Sequence, residues 1–318
     1  MSEKVADKNF YFDDGDCLFV AGNVLFKVHK MMLCRDPQSM FRDIFSVPQG
    51  TAVQTTDLAE IAVSDSAEEF RALCWAVYAL PTDIQLQNDK GADINRLIAV
   101  SKMAHKYVLP SYEKWTLTMV WLHCQPGMDY LDGCSVDMSR RIFEAAVQGG
   151  REDLCKLVES RWLVRLNKGE LELRDALDFG EMHNRRTFLG NAYYQQAVNM
   201  RGGFTPTAGC ATDFSSQTNL KPEQLHRLLA GFCSLSLAFK DLESVKVPRV
   251  AGCHTGTSFS SYHPTGLLDG VDTTVAGGMN IWLAVEHAKK KQDYCKCRQS
   301  FLSSFVTGSV ADHFLGKE

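Results

Sequence analysis

The hydrophobic period of this chain changes near residue 64, and that change sets its fold class. Ahead of it, apolar residues come in short runs suited to strands. Asp16-Cys-Leu-Phe-Val and Val24-Leu-Phe-Lys-Val-His29 flank the turn residues Ala21-Gly22-Asn23, which is the pattern of a β-hairpin. The first structured block opens at Tyr11, and Leu58-Ala-Glu-Ile-Ala-Val63 alternates as a third strand. Short helices are expected over residues 30–34 and about 38–45, with a polar loop over 48–56. From Ser66 the spacing becomes helical. Phe70, Leu73, Cys74, Val77 and Tyr78 form one stripe, Ser66 and Glu69 supply a capping box, and Pro81 ends the helix.

Beyond that point helices dominate. Leu97, Val100, Ala104, Tyr107 and Val108 define one helix stopped at Pro110, and another runs from Tyr112 to about Cys124. Further helices are expected over 137–147, 151–165, 171–179, 181–198 and 222–239, the last with Leu225, Leu228, Leu229, Phe232 and Phe239 on one face. Residues 201–219 form a Gly, Ser, Thr and Pro-rich connector, 241–277 carry little periodicity, and an amphipathic helix spans about 280–291. The expected fold class is α+β. A small sheet capped by helices occupies 11–126, an α-helical domain 135–240, and an irregular segment with a terminal helix 241–318.

Composition narrows the function. A formal charge of -4 over 318 residues, with no basic run longer than Lys289-Lys290-Lys291, disfavours nucleic acid as a partner. No apolar window is long enough for a bilayer, and the N-terminus lacks the apolar core of a secretory signal. The 11 cysteines include Cys17, Cys34, Cys74, Cys155 and Cys233 inside apolar stretches, and no glycosylation sequon occurs. Buried free thiols in a reducing compartment, cytoplasm or nucleus, are the expectation.

The run from Asp16 through Phe26-Lys-Val-His29-Lys30-Met-Met-Leu33 resembles the opening hairpin and His-Lys-x-x-Leu continuation of the BTB/POZ family. Ser39-x-Phe41-x-x-Ile44-Phe45, the helix from Glu69-Phe70 to Tyr78, Ala104-His-Lys106-Tyr107 and Trp115 resemble its next elements in order. Downstream, Trp162-Leu-Val-Arg-Leu, Ala176-Leu-Asp-Phe-Gly180, Gly190-Asn-Ala-Tyr193-Tyr194 and Leu228-Leu-Ala-Gly-Phe are similar to the helical extension of BTB proteins abundant in mushroom-forming fungi. The resemblance implies an interaction protein with no chemistry of its own. It would form a homodimer, or pair with another BTB protein, through a pocket holding Asp16, His29 and Lys30. Its helical half would contact a further protein partner. Ubiquitin-ligase adaptor and transcriptional co-regulator are both roles the family implies. A cullin-facing set would comprise Phe41, Ile44, Phe45, Val47 and Gln49. Because Gln49 stands where the family's cullin binders carry Glu, direct cullin binding is expected to be weak or absent.

Other chemistries are poorly supported. His29 has no nucleophile beside it and reads as structural. Cys253, His254, Cys295 and Cys297 offer zinc-ligand types, yet Cys-x-Cys is shorter than the usual ligand gap. Gly252-Cys-His-Thr-Gly-Thr-Ser lacks the lysine of a phosphate loop. Residues 145–158 look locally like one ankyrin repeat but have no second copy to stack on, so a helix pair joined by Gly149-Gly150 is expected. No cofactor is called for. The rival reading is an enzyme or zinc protein with a site near Cys253, His254 and His263.

Overall fold

A computed structural model of the chain describes residues 3–46, 58–203, 219–244 and 309–317. The described residues divide into two compact units, Met1–Arg161 and Trp162–Glu318. The first is mixed α+β: a four-stranded sheet followed by helices.

Its sheet has the order β1-β3-β2-β4, built from β1 (Val5–Tyr11), β2 (Cys17–Ala21), β3 (Val24–Val28) and β4 (Glu60–Val63). The hairpin β2–β3 is antiparallel with Phe19 opposite Phe26, and its two-residue turn is possible because Gly22 accepts a φ of 62°. β1 and β4 lie parallel to β3 and β2 respectively. The block therefore opens at Val5 and not at Tyr11 as the sequence suggested. Residues 5–11 alternate poorly, and the strand is held by remote partners. Asp7, almost wholly buried, accepts from Arg71 Nε at 2.8 Å on a helix 64 residues away, and from the Asn9 and Phe10 backbone N–H groups.

Helices α1 (Lys30–Leu33), α2 (Met40–Ser46), α3 (Ala67–Tyr78), α4 (Pro81–Leu86), α5 (Ile94–Lys106), α6 (Pro110–His123), α7 (Tyr130–Gly133) and α8 (Val136–Gln148) complete most of this unit. The expected stripe on α3 buries Phe70, Leu73, Cys74 and Val77, and the Ser66–Glu69 capping box forms. Pro81 and Pro110, anticipated as terminators, each occupy the first turn of a new helix, where a missing N–H costs nothing. The core is aromatic. Phe19 meets Phe41 at 5.7 Å and Phe70 at 5.0 Å, and Phe41 stacks on Tyr107 at 4.5 Å. α5 is clamped to the start of α3, because Asp65 accepts from Lys106 Nζ and Tyr107 Oη, each at 2.6 Å. α8 packs on α5 and α6, which carries the first unit past residue 126.

α9 (Glu152–Asn167) leads into the second unit, with α10 (Leu173–Met182), α11 (Arg186–Gly203), α12 (Pro222–Ser244) and α13 (Val310–Leu315). Leu228 and Leu235 of α12 face the core, whereas Leu229 is exposed, so the buried stripe is rotated from the one expected. Cys233 is exposed for the same reason. The helix expected over 280–291 lies outside the described residues.

Among the described residues four helices end in the same Schellman geometry, with residues 108, 150, 169 and 184 in the left-handed region. Three use Gly150, Gly169 and Asn184, the residue types that tolerate it. The fourth is Val108 at φ 54°, bridged by Leu109 N–H to Ala104 C=O at 2.8 Å. A β-branched residue there is strained, and its side chain is exposed. Val108→Gly is expected to raise stability by roughly 0.5–1 kcal/mol, the left-handed penalty less the entropy that glycine adds to the unfolded chain. Urea unfolding measures this, with a higher midpoint at unchanged slope.

Candidate interaction surfaces

The residues singled out from sequence meet where the hairpin passes into α1. His29 is the last extended residue, at φ −99° and ψ 125°. Its backbone N–H donates to Tyr78 Oη at 2.9 Å, and its Nδ1 lies 2.8 Å from the same oxygen. The other ring nitrogen, Nε2, lies 3.4 Å from Asp14 Oδ1. Burial pushes the Tyr78 phenol up to about 12, so it stays protonated. His29 is thus structural, joining β3 to the end of α3.

Asp16 and Lys30 do not form the buried charge pair that a desolvated pocket would require. Both are exposed in the single chain. Asp16 Oδ1 accepts from the Lys30 backbone N–H at 2.7 Å, satisfying a donor in the first turn of α1. The Lys30 ammonium instead lies over the Phe45 ring, 5.5 Å from its centroid. Beside it Met31 is 75% exposed. Beneath, burial pushes the Cys17 thiol up to about 12 and the Cys74 and Cys34 thiols upward, which leaves no reactive thiolate at the junction.

The cullin-facing set divides. Phe41 is fully buried against Phe19 and Tyr107, so it is a core residue and cannot face a partner. Its register on α2 turns it inward. Ile44 and Phe45, half-buried, remain available. Val47 and Gln49 lie outside the described residues, as do Cys253, His254, His263, Cys295 and Cys297.

Two clefts were not visible in the sequence. One of about 690 Å³ in the first unit gathers Arg71, Trp75, Asp93, Asn95, Arg96 and Arg141. Its charges are answered locally: Arg96 pairs with Asp93 at 3.1 Å and lies 4.7 Å over the Trp75 ring, and Arg71 pairs with buried Asp7. The other, about 570 Å³, lies in the second unit and is lined by Glu181, Arg186, Lys221, Gln224, Arg227 and Leu315. There Gln224 Nε2 donates to Asp178 at 2.7 Å, Lys221 pairs with Asp178 and Arg227 with Glu181. Burial opposes ionisation of Asp178, and the bonds from Lys221 and Gln224 outweigh it, holding its pKa below the usual carboxylate range. The three-residue spacing of Asp178 and Glu181, matched by Gln224 and Arg227, was the one sequence signal for this network. Ser66 and Glu69 also line the first cleft, and there the Ser66 hydroxyl donates to Glu69 Oε2 at 2.9 Å as part of the α3 capping box. Among the described residues no three potential metal ligands converge, and no helix is long and apolar enough to cross a membrane.

Comparisons with protein-family models, with curated proteins and with solved structures find no match to this chain.

Removing the Tyr78 hydroxyl tests the structural role of the junction. Tyr78→Phe leaves the His29 backbone N–H without its acceptor and is expected to cost about 1–2 kcal/mol. Chemical denaturation reads the loss, and an unchanged midpoint would refute the account.

Proposed function

We propose that the chain is a protein–protein interaction module. In this reading the first unit is a BTB/POZ domain that self-associates, or pairs with another BTB protein, through the hairpin–α1 face. The second unit presents a helical surface to a further protein, so that the whole acts as an adaptor in ubiquitin-ligase assembly or transcriptional co-regulation. One observation carries the reading. At the hairpin–α1 junction the backbone is fixed by His29 and Tyr78, while Asp16, Lys30 and Met31 project from it exposed. A rigid frame presenting two charges of opposite sign beside a large apolar side chain suits recognition, because little conformational entropy is lost on docking. The order of elements supports it too, with Phe26, Phe70 and Tyr107 of the matching motifs all in one core.

Sedimentation velocity on the full chain at micromolar concentration is expected to show a dimer. Met31→Asp should weaken association by about tenfold or more, since it puts a charge into the interface at no cost to the monomer core. A wild-type chain that stays monomeric up to ~100 µM overturns the reading.

Direct cullin binding is weak in this reading. Gln49 cannot supply the charge-assisted hydrogen bond of a Glu, a loss of about 1.5–3 kcal/mol, or roughly ten- to hundredfold in affinity. Calorimetry against a cullin N-terminal domain decides it. Gln49→Glu should tighten binding, and submicromolar affinity of the wild type contradicts the proposal.

A further inference from the structure

The second unit contains a slot filled by the chain's own end. α13 spans six residues, too few to hold a helix alone in water. It lies against α11 and α12 with Val310, Ala311 and Phe314 buried and Phe314 stacked on Tyr193 at 5.4 Å and 12°. Two helix-interior glycines make the slot. A Cβ at Gly231 would lie 1.9 Å from Phe314 Cδ1, and one at Gly190 would lie 2.5 Å from Ala311 Cα. Each glycine is a poorer helix former than alanine would be at the same place. Their placement opposite the two most intimate contacts of α13 indicates that α11 and α12 are shaped around an occupant.

The slot also reads polar features. Ser309 and Asp312 form a capping box at the start of α13. Arg186 Nη2 donates to Asp312 Oδ1 at 2.7 Å and also to the Gly316 carbonyl, so one guanidinium senses both ends of the short helix. Ser234 Oγ lies 2.8 Å from His313 Nδ1. The cleft holding Lys221 and Arg227 continues from the slot at Leu315.

We propose that the α11–α12 slot is a peptide-recognition groove for a short N-capped helix of the pattern Ser-Val-Ala-Asp-x-Phe-Leu. α13 occupies it in cis, and a partner protein carrying a helix of that pattern takes its place. The inference rests on the adaptor reading in giving the second unit's partner surface a location and a chemistry. Its test measures no dimer, so the two can fail separately.

The probe is a fluorescent peptide of residues 307–318, titrated by anisotropy against the full chain. Phe314→Ala weakens the cis ligand and leaves the slot intact, so this variant should capture the peptide with a Kd of tens of micromolar, near ~50 µM. The wild type should bind at least about tenfold more weakly, because α13 already fills the slot. Phe314→Ala combined with Gly231→Leu, which plugs the slot, should not bind. A folded Phe314→Ala chain that captures no peptide up to ~1 mM overturns the proposal. Hydrogen exchange on the wild type gives an answer even if Phe314→Ala does not fold. Amides of α13 should exchange at least about a hundredfold faster than those around Tyr193 and Leu228, through local release of α13. Equal protection of all three helices would make α13 an integral core element and overturn the proposal.

Discussion

Phe19 holds the first unit together. It sits in the middle of β2, paired with Phe26 across the hairpin, and both rings pack on Phe70 of α3. Through Phe41 the same contact extends to Tyr107, whose hydroxyl donates to Asp65 just ahead of α3. Sheet, α2, α3 and the end of α5 are thereby referred to one aromatic cluster. A slip of one residue in the hairpin would turn Phe19 and Phe26 to the opposite face and remove the surface on which the helices pack. Apolar area alone could be supplied by many residues. The cluster adds defined ring geometry, and this makes the position of α1, and of the junction beside it, specific.

Charge has a different role in this molecule. Asp7, Asp36 and Asp65 are buried, and each accepts from a named donor: Arg71, the Ser111 backbone N–H, and Lys106 with Tyr107. They join elements that are far apart in sequence. Arg71 and Arg96 in the first cleft pair with Asp7 and Asp93, and Asp178 and Glu181 beside the second pair with Lys221 and Arg227, which lowers the cost of their partial burial. Asp16, Lys30 and Met31 are instead exposed, on a backbone that the hydrogen bonds between His29 and Tyr78 fix.

The second unit relies on close approach. Trp162, Phe179 and Phe188 form one aromatic contact set, and Tyr193 with Phe314 another. Gly190 and Gly231 let α13 come nearer to α11 and α12 than any side chain would permit. Helix propensity is sacrificed at both positions, and the contacts that follow are found only when the third helix is present.

Local pattern was enough for the hairpin, the capping box at Ser66, the helices α5 and α6, and the α8–α9 pair turning at Gly150. In each case neighbours in sequence carry the period, cap or left-handed residue that defines the element. The same reading gave His29 a structural place at the hairpin–helix junction, where its backbone N–H and ring both meet Tyr78. Folding alone decided the others. β1 exists through Arg71 and β3, since residues 5–11 do not alternate. Phe41 faces inward because α2 packs on Tyr107, although the family resemblance implied a place among partner-facing residues. Asp16 stays in water because a backbone N–H was available to it. α13 is a helix because two distant glycines leave room for it. Contacts between remote residues follow from which faces meet, and no window of sequence contains both faces.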